Sequence, residues 1–302
     1  MSQQEKVIAL GFFDGVHRGH GALLRRAAEE AERRGVASAV FTFDRPPKEV
    51  VTGIPCPLLN SPEDRAELVR RLYNIQEVIM APFDEAMMKT SWQDFLRKLL
   101  VEEHHAVHLV AGHDHRFGHK NQGTPELLAR ECAALGLGCD IIPKVEIDGV
   151  TVSSTYIRSL VEAGEMERAS LFLGHPHTLT QEVRHGRRIG RTIGVPTVNL
   201  TVPPRVLTPM RGVYVCRAVL PDGSRFAAVT NVGVRPTVHN GDDVTVEAWL
   251  QGFEGDLYGQ RVRLEFCRRL RGEIAFPSLE ELRRRISADA EEVRRYFEEH
   301  PL

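Results

Sequence analysis

The sequence predicts two domains of different class: an α/β domain built on a parallel, Rossmann-like nucleotidyltransferase sheet, then a small antiparallel β-barrel with a terminal helix. Three observations carry this. The chain has 302 residues, more than one hydrophobic core usually organises. Up to about residue 175, short apolar runs alternate with amphipathic stretches, the rhythm of strands joined by crossover helices. Beyond Gly174 the apolar runs become short, β-branched and broken by Gly and Pro, which is the texture of a barrel.

Taken in order, VIALGFF from Val7 to Phe13 reads as a first buried strand. It is too short to cross a membrane and has no basic leader or cleavage site beside it. GALLRRAAEEAERRG follows as an amphipathic helix stopped at Gly35, then VASAVFTF as a strand. SPEDRAELVRRLY is a helix with Ser61 as N-cap and proline in its first position. EVIMAP, VHLVAG and CDIIP supply three more strands, and SWQDFLRKLLVEE and TPELLARECAALG two more helices, the second capped by Thr124 and stopped at Gly136. After Gly174, TIGVPTVNLTV, GVYVCRAVL, FAAVTNVGV, VTVEAWL and RVRLEF are the barrel strands. SLEELRRRISADAEEVRRYFEEH is the closing amphipathic helix. With no repeat or low-complexity tract, the change of texture puts the junction near His177 to Gln181, giving domains 1–178 and 179–302.

The 39 Lys and Arg nearly balance the 41 Asp and Glu, so no global field attracts nucleic acid or an anionic membrane. An anionic ligand must be held locally. The five cysteines, Cys56, Cys132, Cys139, Cys216 and Cys267, are odd in number and contain no CxxC, so reduced thiols in a cytoplasmic protein are expected. Composition leaves the oligomeric state open.

GFFDGVHRGHGALL places Gly11, Phe13, Asp14 and Gly15 in a turn after the first strand, with His17 and His20 where a helix begins. Glycines let a backbone approach a ligand closely, and helix-start amides with their dipole favour phosphate. Residues three apart on a helix share a face, so both imidazoles can address one anion. The arrangement suits nucleotidyl transfer, in which a phosphate oxygen attacks the α-phosphorus of ATP. The attacking phosphate is already ionised, so the site needs positioning and charge neutralisation rather than a base.

The H-x-G-H motif resembles that of the nucleotidyltransferase superfamily, and the fuller G-x-F-D-G-x-H-x-G-H form resembles the FMN adenylyltransferase module. VAGHDHRFGHKNQG is similar to that family's G-x-D-F-x-F-G loop, and VSSTYIRSL to its I-S-S-T-x-I-R stretch. The resemblance implies that Ser153, Ser154 and Thr155 meet the ATP phosphates, that Arg158 faces the leaving pyrophosphate, and that Asp114, Phe117 and Gly118 line the flavin side. His113, Asp114, His115 and His119 are expected to belong to that loop rather than to a transition-metal site. The chain departs from the pattern at Pro46, where a histidine is common, and at His115, which replaces a phenylalanine.

HGRRIGRTIGVPTVNL resembles the riboflavin kinase signature ending in P-T-A-N-L, with Val198 for Ala. Nearly the whole chain is thus identified as a member of the bifunctional riboflavin kinase/FMN adenylyltransferase family. That implies ATP as cosubstrate with Mg2+, and riboflavin and FMN as the other substrates. Gly186, Gly190, Gly194 and Pro196 would form a loop around the ATP phosphates. Thr197 and Asn199, two apart on an extended segment, would face magnesium and phosphate together. Glu247 occupies the family's catalytic carboxylate position, while Asn231, Arg235, Arg271 and Glu273 fall on its flavin-binding segments. A flavin-binding regulator without turnover would have no need of Glu247, Thr197, His17 and His20 together.

Overall fold

The computed structural model describes residues 4–185, 196–236 and 242–302, without the side chains of residues 235, 236, 242 and 243. Its contacts divide into two compact units, Met1–Ser154 and Thr155–Leu302.

In the first unit, β1 (Lys6–Leu10), β2 (Ala37–Phe43), β3 (Glu77–Ala81), β4 (Ala106–Gly112) and β5 (Gly138–Ile142) form a parallel sheet in the order β3-β2-β1-β4-β5. Because side chains alternate along a strand, β1 sends Val7 and Ala9 into one core and Ile8 and Leu10 into the other. On the first face, α1 (Arg18–Arg34) and α3 (Pro62–Tyr73) bury Leu23, Leu24, Ala27, Leu68 and Val69. On the second, Phe95, Leu96 and Leu100 meet Leu128 and Cys132 of α6 (Pro125–Ala134). A short hairpin of β6 (Glu146–Ile147) and β7 (Val150–Thr151) follows β5. The parallel sheet with helices on both faces is as the sequence predicts. The expected stops and caps also form: Gly35 is left-handed at φ 69°, and the Ser61 and Thr124 hydroxyls accept from the amides of Asp64 and Leu127.

Four segments differ from expectation. SWQDFLRKLLVEE begins as a short α-turn, α5 (Trp92–Asp94), and widens into a π-helix over Phe95–Glu103, which puts the buried Phe95 and Leu100, five apart, on one face. Two short helices, α2 (Pro47–Thr52) and α4 (Glu85–Lys89), bury no residue and so left no periodic signal. HTLTQE is strand β8 (His177–Glu182), so the segment whose texture marks a junction lies within the second sheet.

From Thr155 on, the second unit holds the rest of α7 (Ser154–Ala163) and α8 (Met166–Leu173), the latter packed on β8 and β13 (Arg261–Arg271). With β9 (Val198–Thr201), β10 (Gly212–Val219), β11 (Arg225–Pro236) and β12 (Asp242–Leu250), these strands make an antiparallel sheet in the order β8-β13-β10-β11-β12-β9. A bridge from Arg184, just beyond β8, to Asn199 brings the two edges together, so the sheet is a nearly closed barrel. Val246, Ala248 and Leu250 are buried on one side of β12, whereas Val213, Val215, Val229 and Trp249 face the terminal helix, α9 (Leu279–Glu299). Val293 and Phe297 of α9 complete that core.

His177 on β8 is 2% exposed, and burial, aided by neighbouring His175, holds its imidazole down to about 4. Below pH 6.5 the unfolded chain therefore takes up a proton that the folded chain refuses, and stability falls by about 1.4 kcal/mol per pH unit until about pH 4. Between pH 6.5 and 5, the wild type should lose about 2 kcal/mol more than His177→Gln. Urea midpoints of the two proteins at both pH values measure this, and parallel losses would refute it.

Candidate active sites

In the order β3-β2-β1-β4-β5 the crossovers from β1 and β4 run to opposite sides, so their carboxyl ends part at a topological switch point. The turn after β1 and the loop after β4 are the segments singled out by sequence. Phe13, Gly15 and Val16 all have positive φ, at 58°, 82° and 43°. Phe13 and Val16 are buried in the core, and that packing sustains the left-handed turn. The Phe13 ring lies against Gly11, where a Cβ would stand 3.0 Å from it, so only the backbone of Phe13 is left to a ligand.

The turn is tied at both ends. Thr42 Oγ1 and Arg65 Nη1 donate to the Phe12 carbonyl at 2.9 and 2.8 Å. Leu59 N–H donates to Asp14 Oδ1 at 2.8 Å, and Ser154 Oγ donates to the Asp14 carbonyl at 2.9 Å. Asp14 thus acts as a brace here. Arg65 was not singled out by sequence, although it interrupts the buried face of α3 beside Leu68 and Val69. It is 2% exposed, also donates to the Phe43 carbonyl, and stacks over the Phe12 ring at 4.3 Å. Burial lowers its pKa to about 10, which leaves it cationic at neutral pH.

His17 is the N-cap of α1, its Nδ1 accepting from His20 N–H at 3.2 Å. The two rings stack with centroids 3.5 Å apart at 12°. Burial pushes the His20 imidazole well below the usual histidine range, and the charges of His17 and Arg65 push the same way. His20 Nδ1 is buried without a hydrogen-bond partner among the described residues. An anionic phosphate against this pair would favour the protonated form and restore donors where charge develops.

After β4, Asp114 is exposed, whereas Phe117 is 6% exposed and packs in the core. Gly118 has φ 71°, and a Cβ there would come within 2.5 Å of the Trp92 backbone, so glycine is obligatory. His115 stacks on Phe117 at 5.6 Å, and burial holds its imidazole to about 4. His119 Nδ1 lies 3.1 Å from the Met88 carbonyl. Ser153 and Ser154 belong to the first unit, and Thr155 and Arg158 follow on α7 in the second.

In the barrel, register brings distant residues into one transverse row. Asn199 on β9 opposes Glu247 on β12, Glu247 opposes Asn231 on β11, Asn231 opposes Val213 on β10, and Val213 opposes Arg271 on β13. Directly opposed residues share a face. Val229 and Trp249 are opposed two positions along, on that same face. Beneath α9 this face bounds a cavity of about 340 Å³ whose polar wall includes Thr197, Asn231, Glu247, Arg271 and Glu273. Five of the residues expected at the kinase site are therefore together. Asn199 adjoins Glu247 in register but is not part of the cavity wall. Arg235 lies on β11 with its side chain outside the described residues, as are Gly186, Gly190 and Gly194 entirely; Pro196 is described and exposed.

Sequence reasoning missed the apolar wall, which comprises Val213, Val229, Trp249, Ile274, Phe276, Leu282 and Ile286, together with Asp289. A second hollow of about 60 Å³ shares Thr197 and is edged by Pro196, Phe253, Leu257 and Tyr258.

The first unit thus offers a histidine pair on a helix start at an α/β switch point, and the second a barrel cavity whose wall includes a carboxylate and a threonine hydroxyl, an inventory of the kind that transferases of phosphate groups use. A family model described as FAD synthetase matches residues 1–156, and one described as riboflavin kinase matches residues 173–297. The bifunctional riboflavin kinase/FMN adenylyltransferase of Haemophilus influenzae is 33% identical over 295 residues, covering 96% of this chain and 94% of that protein. The enzyme of the same name from Pseudomonas fluorescens is 34% identical over 293 residues, with 95% and 92% covered. A solved structure from Streptococcus pneumoniae, reported as a macrolide-efflux protein, matches with a TM-score of 0.85 at 29% identity, covering 97% of this chain and 95% of that one. Among the described residues no helix is long and apolar enough to cross a membrane.

The chain belongs to the bifunctional riboflavin kinase/FMN adenylyltransferase family. It phosphorylates riboflavin with ATP to FMN, and adenylylates FMN with ATP to FAD and pyrophosphate.

Proposed function

We propose that residues 179–302 carry the kinase with Glu247 as its base, that residues 1–178 carry the adenylyltransferase with His17 and His20 at the α-phosphate, and that both work in the cytoplasm. The observation that supports the kinase assignment best is the row in which Glu247 stands between Asn199 and Asn231 on the face bounding the cavity. Glu247 takes the proton of the ribityl hydroxyl as its oxygen bonds to the γ-phosphorus and ADP leaves. Asn231, Arg271 and Glu273 hold the polar edge of the flavin, while Trp249 and its apolar neighbours cover the ring.

At the other site an FMN phosphate oxygen attacks the α-phosphorus and pyrophosphate departs. His17, His20 and the turn after β1 meet the charge on the phosphorus oxygens, and Ser153, Ser154, Thr155 and Arg158 receive the remaining phosphates.

The Thr197 hydroxyl and the Asn199 amide oxygen are hard oxygen donors of the kind Mg2+ selects, and Thr197 bounds the cavity. Bound there with ATP, the ion would neutralise phosphate charge. Incubation with riboflavin and Mg-ATP, followed by chromatography, should show FMN and then FAD. Thr197→Ala should raise the magnesium concentration for half-maximal FMN formation by about 5-fold without unfolding the barrel. An unchanged magnesium titration would remove Thr197 from this role.

A further inference from the structure

The stripe of α9 that faces the barrel runs Leu282, Ile286, Asp289, Val293 and Phe297, and one member is a carboxylate. Asp289 is 1% exposed. A buried charge is expensive to desolvate, and an apolar side chain would serve packing as well or better, so packing does not account for it. Its partner does. Arg271 Nε lies 3.2 and 3.1 Å from the two Asp289 oxygens, and Nη2 donates to Oδ2 at 2.7 Å. Arg285 Nε adds a second cation at 3.0 Å from Oδ1.

A guanidinium has five N–H donors in a rigid plane. Asp289 engages the edge formed by Nε and Nη2, and Nη1 donates to the Gly272 carbonyl at 3.0 Å. One N–H on each of Nη1 and Nη2 then has no partner among the described residues. Both belong to a side chain that bounds the same cavity as Glu247. Two such donors on one rigid plane suit neighbouring acceptors, of which the ring carbonyls and ring nitrogens of an isoalloxazine offer two sets.

We infer that Asp289 is a positioning residue for riboflavin: it fixes the plane of Arg271 so that the N–H groups left on Nη1 and Nη2 meet acceptors on the flavin ring. This rests on the reading of the cavity as the riboflavin site. Glu247 handles the reacting hydroxyl, whereas Asp289 acts only through Arg271, so its loss should appear in substrate binding and not in the chemical step.

The test uses the full chain. Asp289→Asn keeps the shape but removes the charge that orients Arg271; the riboflavin KM should rise roughly 10-fold, with kcat and the ATP KM within about 2-fold. FAD formation from supplied FMN should be unchanged. Arg271→Lys should raise the riboflavin KM similarly, and the double variant should be no worse than the poorer single one, because both remove one interaction. A folded Asp289→Asn protein with unchanged riboflavin KM, equal changes in the ATP and riboflavin KM, or multiplicative effects in the double variant would each overturn the inference. If Asp289→Asn loses the barrel's circular dichroism, Asp289→Glu replaces it: the same charge one methylene further out should raise the riboflavin KM several-fold, and no change would be equally decisive. A wild-type protein that fails to phosphorylate riboflavin would instead strike the reading of the cavity itself.

Discussion

Glu247→Gln should depress riboflavin phosphorylation by about 10²- to 10⁴-fold in kcat while FAD formation from supplied FMN continues. An amide of the same shape keeps the side chain in its row beside Asn199 and Asn231 but cannot accept the hydroxyl proton. Because β12 pairs on both sides and Val246 and Ala248 anchor its other face, the substitution leaves the strand in place. Riboflavin binding, measured by fluorescence quenching, should survive. Near-normal turnover in a folded variant would take the base away from Glu247.

His17→Ala combined with His20→Ala should produce the opposite phenotype. FAD formation should fall by about 10²- to 10³-fold, riboflavin should still be phosphorylated, and FMN should accumulate. The imidazoles stack at 3.5 Å and His17 also caps α1, so the double variant loses a cap of about 1 kcal/mol as well as two donors. His20→Gln separates these effects, because it leaves the cap intact while replacing an imidazole that no described residue satisfies at Nδ1. Equal loss of both activities in a folded double variant would refute the division of labour.

Much of this was legible in the sequence because the signals were periodic or local. Alternation along VIAL and VHLVAG separates the two cores, and the His17 and His20 spacing fixes their shared face. What stayed hidden depended on tertiary burial of polar groups. HTLTQE did not read as a strand because His177, Thr178 and Thr180 are buried without being apolar. Arg65 and Asp289 are charged residues on apolar helix faces, and sequence alone does not tell an interruption from a brace until its partners, the Phe12 carbonyl and Arg271, are seen. Glu247 was found by its motif, but its neighbours Val213, Trp249 and Ile286 come from separate elements that only barrel closure and α9 bring together.

The transverse row from Asn199 to Arg271 also sets what kind of sequence drift this chain tolerates. Each member depends on its strand's phase, and strands have a period of two, so a single residue inserted in β12 ahead of Glu247 would turn the carboxylate into the barrel interior and bring Val246 outward. Composition, charge and hydrophobic content would hardly change. For this half of the molecule, a copying error that adds or removes one codon within a strand is therefore far more damaging than most substitutions. The same error in the turn at Asp222 and Gly223, beyond the ladder that joins β10 to β11, would leave every partner in place.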